Sequence, residues 1–498
     1  MAIIPQPYLF NWQHVDAASD LDRLRLVLIA LPDEKFMLQL EADRGKGRDE
    51  YPVRATWNSI LAGVVYQHPT IAALRRELSR NAQLRDVCGF DPKLGETAVP
   101  TDSAYSNILR NILNHEPMIR EMFHILVAKL KEHLPDLGRF LAMDGKALPS
   151  LANGPKKDEA DQKPKTNSPS DQSRASGVDP QGSADTSVAP GTAAEPQEEK
   201  EDRRRENDAD WGVKKYRGVR QDGSAWEKVV YWFGFELHLL VDSQHEMPIN
   251  YKVTTASAPE TTELLPMLKD TKERHPEIVD TCEELSADKG YDSEANIAGL
   301  WEEHIRAIID KRADWAKSGD KTRALFPDRV DNVVYDVKGT VQCVCPATGE
   351  TRPMTFGGFE KDRQTLKYRC PAAANGFVCA GRAECPRGQT EYGKIVRIKI
   401  EKDLRMFTPL PRDCKSWDTA YDRRTAVERV NSRIDQVLGF ERHTIRGLKK
   451  MEARVGIALV VLLAMAVGRI EAGQQEQLRS LVAPVPHQAV MQEQAVTA

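Results

Sequence analysis

From 152 to 208 the composition collapses into Pro, Ser, Asp, Glu, Lys and Gly, with almost no large apolar side chain. Such a segment has too little apolar surface to offset the cost of ordering a backbone, roughly 1–2 kcal/mol per residue. It is expected to be a disordered loop. Its flanks constrain the fold. Upstream, Gly138-Arg-Phe-Leu-Ala-Met-Asp-Gly-Lys-Ala-Leu148 reads as a strand carrying an acid, Asp144, near its end. Downstream, Lys228-Val-Val-Tyr-Trp-Phe-Gly-Phe-Glu-Leu-His-Leu-Leu-Val-Asp242 is a β-rich run. The loop is therefore predicted to be an insertion between two strands, not a boundary between independent halves.

The apolar periodicity extends this pattern. A further strand is predicted near 249–255, then a helix after Pro259 running through Leu264, Leu265, Met267 and Leu268. A short strand leads into Asp288, a helix covers roughly 293–304, and a strand covers 306–310. The order β, β, β, α, β, α, β suits an α/β fold with a mixed sheet and helices on its faces. Upstream, apolar residues three and four apart, as in 21–30 and 71–80, predict an all-helical N-terminal region punctuated at Pro32, Pro69 and Gly89. Such a bundle can bind DNA ends, dimerise or support the core. Residues 311–412 form a cysteine-containing insertion, and a long helix is predicted from near Thr419. The apolar run 455–467 is too short to span a bilayer comfortably and fits a buried helix. The resulting division is 1–135 helical, 136–151 first strand, 152–208 loop, 209–310 core, 311–412 insertion, 413–475 two helices and 476–498 flexible tail.

The first residues lack the basic start and apolar core of a signal peptide. Eight cysteines without an export signal argue for thiols or metal ligands over disulfides. A cytoplasmic protein without a membrane partner is expected. The net charge of −4 hides a division. Residues 151–210 hold 9 Lys and Arg against 14 Asp and Glu, whereas 361–450 hold 21 against 11. A local basic surface matters more to phosphate binding than the global sum, so nucleic acid is permitted as a partner.

Three carboxylates stand out by position. Asp144 and Asp288 end strands, and Glu428 lies on the helix after the insertion. Two strand ends on one sheet edge, with a helix packed across it, can gather acids distant in sequence. Clustered carboxylates repel unless a cation neutralises them, and hard oxygen donors suit Mg²⁺ or Mn²⁺. A pair of such ions about 3.5–4 Å apart serves phosphodiester chemistry. The alternative is that both aspartates are ordinary turn residues and Glu428 a solvated helix charge. On a continuous helix, Tyr421, Arg424, Glu428 and Asp435 share one face. Tyr421 and Arg424 beside a metal-binding Glu can hold a DNA phosphate. Arg423, Arg429 and Arg433 thicken the basic surface.

Four blocks now stand in order: Ala142-Met-Asp-Gly-Lys-Ala-Leu148; Asp208-Ala-Asp-Trp-Gly-Val-Lys214 with the run from Trp232 to Asp242; Ala287-Asp-Lys-Gly-Tyr-Asp-Ser293; and Tyr421-Asp-Arg-Arg-Thr-Ala-Val-Glu-Arg-Val430. Together they resemble the DDE transposases of bacterial insertion sequences, the last block being like their Tyr-x₂-Arg-x₃-Glu helix. The segment from Thr70 to Arg85 is similar to the helical N-terminal domain that accompanies that catalytic core. The resemblance implies a ribonuclease-H-like fold with Asp144, Asp288 and Glu428 as a metal-binding triad. It also implies two Mg²⁺ ions (Mn²⁺ substituting), terminal inverted repeats and target DNA as double-stranded substrates, and a homodimer in the active complex. By the same resemblance Tyr421 and Arg424 contact transposon-end phosphates. One position departs from the pattern: Asp435 stands where the family carries a Lys. Either Arg433 or Lys449 substitutes for it, or the copy is impaired and serves as a non-catalytic DNA-binding protein. A general ribonuclease-H-like nuclease is the third reading.

Cys343, Cys345, Cys370, Cys379 and Cys385 crowd into the insertion. Four of them, Cys345, Cys370, Cys379 and Cys385, are candidates for a structural Zn²⁺ site of tetrahedral thiolates; reduced thiols in a small β-rich insertion are the alternative. His238 shares a strand face with Glu236. It is a secondary candidate for the site, or a satisfied sheet histidine.

Overall fold

The computed structural model describes residues 19–45, 50–152, 154, 206–220, 222, 224–312 and 321–485. Most of the loop at 152–208, and the tail from 486, lie outside them. The acidic residues ride on one mixed sheet. β1 (Phe140–Pro149) pairs antiparallel with β3 (Ala225–Asp242), which pairs antiparallel with β4 (Met247–Thr255). On its other side β1 runs parallel to β5 (Glu284–Ala287), and β5 parallel to β6 (Arg306–Ile309). The order is β4-β3-β1-β5-β6. Apolar residues such as Leu141, Leu237, Leu239 and Leu285 bury it on both faces, as a sheet covered by helices requires.

β3 is 18 residues long, and only its second half lies inside the sheet. Its first half pairs with β2 (Asp210–Val219) as a two-stranded ribbon. The change occurs at Gly234, which faces Asp210 in the ribbon and Pro149 in the sheet. A Cβ there would lie 2.4 Å from the Leu148 carbonyl oxygen, and φ is +151°, so the close approach needs glycine. Apolar periodicity does not reveal β2, because the ribbon is wet on both faces. Val213 and Tyr231 are exposed on one face, and Trp226 and Val230 on the other.

The upstream helices are α1 (Ser19–Ala30), α2 (Glu34–Arg44), α3 (Val53–Val65), α4 (Ile71–Arg80), α5 (Ala82–Cys88), α6 (Asp102–Asn114) and α7 (Glu116–His133). Thr70, Asn81 and Thr101 cap α4, α5 and α6 with side-chain oxygens. After β4 come α8 (Leu264–Arg274) and α9 (Pro276–Asp280), then α10 (Glu294–Glu302) between β5 and β6.

The insertion builds two small sheets. One runs β10 (Thr351–Pro353), β9 (Val341–Val344), β8 (Val333–Asp336), β7 (Thr322–Ala324), and the other β11 (Thr355–Glu360), β12 (Thr365–Arg369), β13 (Ile395–Lys399). A short α11 (Pro371–Asn375) follows β12, and the pair has its own apolar core around Leu325, Val341, Leu366, Tyr368 and Ile398.

The helix predicted from near Thr419 is two helices, α12 (Lys415–Asp422) and α13 (Thr425–Val437). Between them, Arg424 N–H donates to Tyr421 O (3.0 Å) and Val427 N–H to Arg424 O (3.1 Å), a tightened i→i−3 turn. The turn is drawn against the sheet edge. Arg423 pairs with Glu284 and sits 3.7 Å over the Phe140 ring.

α14 (Leu448–Glu471) contains the apolar run and is buried nearly all round, against α1, α3, α7 and β4. It is long and apolar enough to cross a membrane by length and composition, but 89% of its most apolar window is buried in the protein. A helix apolar on all faces belongs in a core. Because α14 touches both layers, the N-terminal helices and the sheet share one hydrophobic core. Its first turn is held from far away in sequence: Asp208 accepts from Leu448 N–H (2.6 Å), and Glu206 from Gly447 N–H.

Candidate active site

Parallel pairing matches Met143 with Ala287, so the next residue on each strand brings Asp144 and Asp288 alongside one another. Each aspartate accepts one backbone N–H: Gly145 donates to Asp144 Oδ1 (2.9 Å) and Gly290 to Asp288 Oδ1 (2.6 Å). The turn chemistry is therefore real for Asp288, which caps the 3₁₀ turn at Lys289–Tyr291. It leaves the charges in conflict, however. Burial, with repulsion from Asp288 and Glu260, outweighs nearby Lys214 and pushes Asp144 up to about 6. Burial and Glu260 also raise Asp288.

Three further charged residues belong to this cluster, and sequence patterning alone does not assign them to the site. Lys214 Nζ lies 2.8 Å from Glu260 Oε1 and 3.2 Å from Glu236 Oε1, and donates to the Gly145 carbonyl (2.8 Å). A Cβ on Gly145 would meet Glu236 Oε1 at 2.8 Å and Glu260 Oε1 at 2.9 Å. Only a missing side chain lets both glutamates approach β1 beside Asp144. Burial and the contact with Glu260 raise Glu236 above the usual carboxylate range. Glu236 had a legible signal, a lone acid in the apolar run 232–241. Glu260 and Lys214 had none, since only the folded sheet brings them there.

Glu428 enters from the first turn of α13 and is about half exposed. Arg424 links it to the strand acids: its Nη1 is 2.8 Å from Glu428 Oε1 and 3.9 Å from Asp144 Oδ2. Among the described residues, no three His, Cys, Asp or Glu side chains converge closely enough to hold a metal ion. The donors nonetheless suit a hard cation: two repelling carboxylates side by side, and a third joined to them by a guanidinium.

Tyr421 stacks on Trp417 (4.7 Å between centroids, 12° between planes), and the Arg424 guanidinium sits 5.6 Å from its ring centre. The tightened turn between α12 and α13 keeps these two residues together without the continuous helix that was expected. Asp435 pairs with Lys146 of β1, two residues beyond Asp144. Both line a cavity of about 330 Å³ with Glu428, Asn431 and Ser432.

Arg433 is largely buried and Arg429 half exposed, and both contact Glu246. Arg429 Nε donates to Glu246 Oε1 (2.7 Å), Arg433 Nη2 to the Glu246 carbonyl (2.7 Å), and Arg479 Nη1 lies 3.3 Å from Glu246 Oε1. Glu246 is buried, so these cations answer an internal acid. His238 is fully buried, and its Nε2 is 2.9 Å from Thr254 Oγ1. Burial lowers it to about 4, which keeps the ring neutral. The five insertion cysteines line a separate cavity, whereas Cys88 and Cys282 are buried.

Residues 197–343 match the family model of the transposase DDE domain. The match spans less than a third of the 498 residues. It includes Lys214, Glu236, Glu260 and Asp288, and stops short of Asp144 and Glu428. No curated protein matches. A solved cryo-EM structure, a piggyBac transposase synaptic complex with hairpin DNA, overlays with a TM-score of 0.36 at 10% identity, over 97% of this chain and 83% of that chain. That similarity is too low to bear on fold or function.

Proposed function

We propose that the protein is a DDE transposase that cuts DNA at transposon ends and joins the freed 3′-hydroxyl to target DNA. The observation that carries this reading is the placement of Asp144, midway along β1 and not at its end as expected, beside Asp288 just past the end of β5, with their charges in conflict and Asp288 inside the segment that matches a transposase DDE domain. The sheet order, three antiparallel strands followed by two parallel ones, supports a ribonuclease-H-like core.

In this reading Asp144, Asp288 and Glu428 hold Mg²⁺, with Mn²⁺ able to take its place. A cation held there would supply Lewis-acid polarisation of the scissile phosphate and activation of the attacking oxygen. The chain supplies position and charge. Arg424 balances Glu428 and Asp144 in the free protein and is well placed to exchange that role for a DNA phosphate. Tyr421 is fixed for the same backbone by its stack on Trp417. Lys214 neutralises the carboxylates behind Asp144, and the Glu236–Glu260 pair fixes Lys214. Terminal inverted repeats, a homodimer in the active complex and a cytoplasmic setting complete the reading. Titrating Mn²⁺ into the protein bound to end DNA, followed by electron paramagnetic resonance, tests the metal assignment. Protein-dependent Mn²⁺ binding that Asp144→Asn weakens is expected; Mn²⁺ binding indifferent to that substitution counts against it.

The Lys146–Asp435 pair favours an active enzyme over an impaired copy. The acid on the helix is answered by a lysine on β1, so a cation still borders the cavity next to Glu428. Both partners are largely buried. Asp435→Lys alone is therefore expected to set two lysines face to face and cost on the order of 3 kcal/mol, read as a fall in Tm. The exchange Lys146→Asp with Asp435→Lys is expected to restore most of that loss. Raised end cleavage from Asp435→Lys alone would instead favour the impaired-copy reading.

A further inference from the structure

We propose that Cys345, Cys370, Cys379 and Cys385 form a tetrathiolate site for a soft divalent cation of the zinc class, which joins the two small sheets of the insertion. This site is separate from the proposed DNA chemistry and stands whether or not the protein is a transposase.

The cysteines come from different elements. Cys345 follows β9 of the first sheet, Cys370 follows β12 of the second, and Cys379 and Cys385 lie between α11 and β13. All four line one cavity of about 160 Å³, room for an ion and not for an organic cofactor. The backbone crowds the sulfurs at glycines. A Cβ on Gly381 would sit 2.9 Å from Cys345 Sγ, and one on Gly393 3.2 Å from Cys370 Sγ; one on Gly388 would sit 2.8 Å from Cys385 Cβ. Glycine at three such places lets peptide groups approach the thiols closely. Asn332 Nδ2 also donates to Cys385 Sγ (3.6 Å), as donors do around metal-bound thiolates.

Arg352 and Lys394 also line the cavity, each paired with a carboxylate, Glu350 and Asp331. Cys343 is the fifth cysteine of this wall. It lies in β9 opposite Val333 and Arg352, is partly buried against the apolar core of the insertion and lines the same cavity, so it can stand in for one of the four. No three cysteines stand at coordination distance of one point among the described residues. Ion binding must therefore draw the thiols inward, and metal affinity becomes cohesion between two sheets of three and four short strands.

The test uses the full chain, purified under reducing conditions with Zn²⁺ supplied, and metal content measured by mass spectrometry. About one Zn²⁺ per chain is expected, falling below about 0.2 in Cys370→Ser and in Cys379→Ser and unchanged in Cys414→Ser. Wild-type protein below about 0.2 equivalents, or a content indifferent to both Cys370→Ser and Cys379→Ser, overturns the proposal. Should the serine variants fail to fold, Co²⁺ exchanged into wild-type protein decides. Thiolate-to-cobalt charge-transfer bands with four-coordinate d–d absorption support the site, and their absence overturns it.

Discussion

Asp288→Ala is expected to keep its fold and lose Mg²⁺-dependent cleavage of transposon-end DNA by at least about 10³-fold, some 4 kcal/mol of barrier. The loss follows from removing one of two carboxylates that the parallel β1–β5 pairing sets side by side. The fold should survive because Asp288 is strained by its neighbours. Burial and Glu260 both disfavour its charge, and its removal also relieves Asp144. Against this relief stands the cap that Asp288 places on Gly290 N–H, worth about 1 kcal/mol. A thermal melt within a few degrees of wild type, beside the abolished cleavage, is the expected pair of results. Asp288→Asn preserves a cap acceptor and should give the same loss of cleavage. Either variant cutting at the wild-type rate would remove Asp288 from the site.

Lys214→Met should have the largest effect on stability. Lys214 is the cation between Glu236 and Glu260 and also holds the Gly145 carbonyl. Without it, Glu236, Glu260 and Asp144 share a buried region with no adjacent lysine. Removing one partner from a buried ionic cluster typically costs about 3–5 kcal/mol, and the damage lies against β1 where Asp144 must be placed. The melt should drop clearly, with end cleavage falling too. Adding Glu260→Gln should recover part of the stability by removing one uncompensated charge. A Lys214→Met protein that melts like wild type would show that the cluster is not held by this lysine.

How much of this was legible in the sequence depends on the range over which each signal acts. Asp144 and Asp288 were visible because an acid next to a glycine beside an apolar strand is a local pattern, although Asp144 lies midway along β1 and does not end it. Only the sheet register, however, makes them neighbours. The five core strands were readable from apolar runs, whereas β2, whose ribbon faces solvent on both sides, was reached only through the resemblance of the 208–214 block to a paired strand. Helical periodicity put Tyr421, Arg424 and Glu428 on one continuous helix, whereas the structure has a tightened turn between α12 and α13, with Arg424 contacting both other residues. That turn is made by contacts of Arg423 with Glu284 and Phe140, far away in the chain. For the same reason the sequence could not show that Arg429 and Arg433, read as a basic surface, also contact buried Glu246. Asp435 read as a lost cation because its partner, Lys146, lies 289 residues away. Charge pairs of that span cannot be inferred from one sequence, and here they change the functional reading.

The most direct measurement is incubation of the wild-type protein with Mg²⁺ and a labelled duplex ending in the element's own terminal repeat, beside a scrambled duplex and a target plasmid. Site-specific nicking at the repeat, followed by covalent joining of its 3′ end to the plasmid, is the expected result. Tight binding of the repeat with no cleavage in Mg²⁺ or Mn²⁺ would contradict it, as would cutting of both duplexes alike.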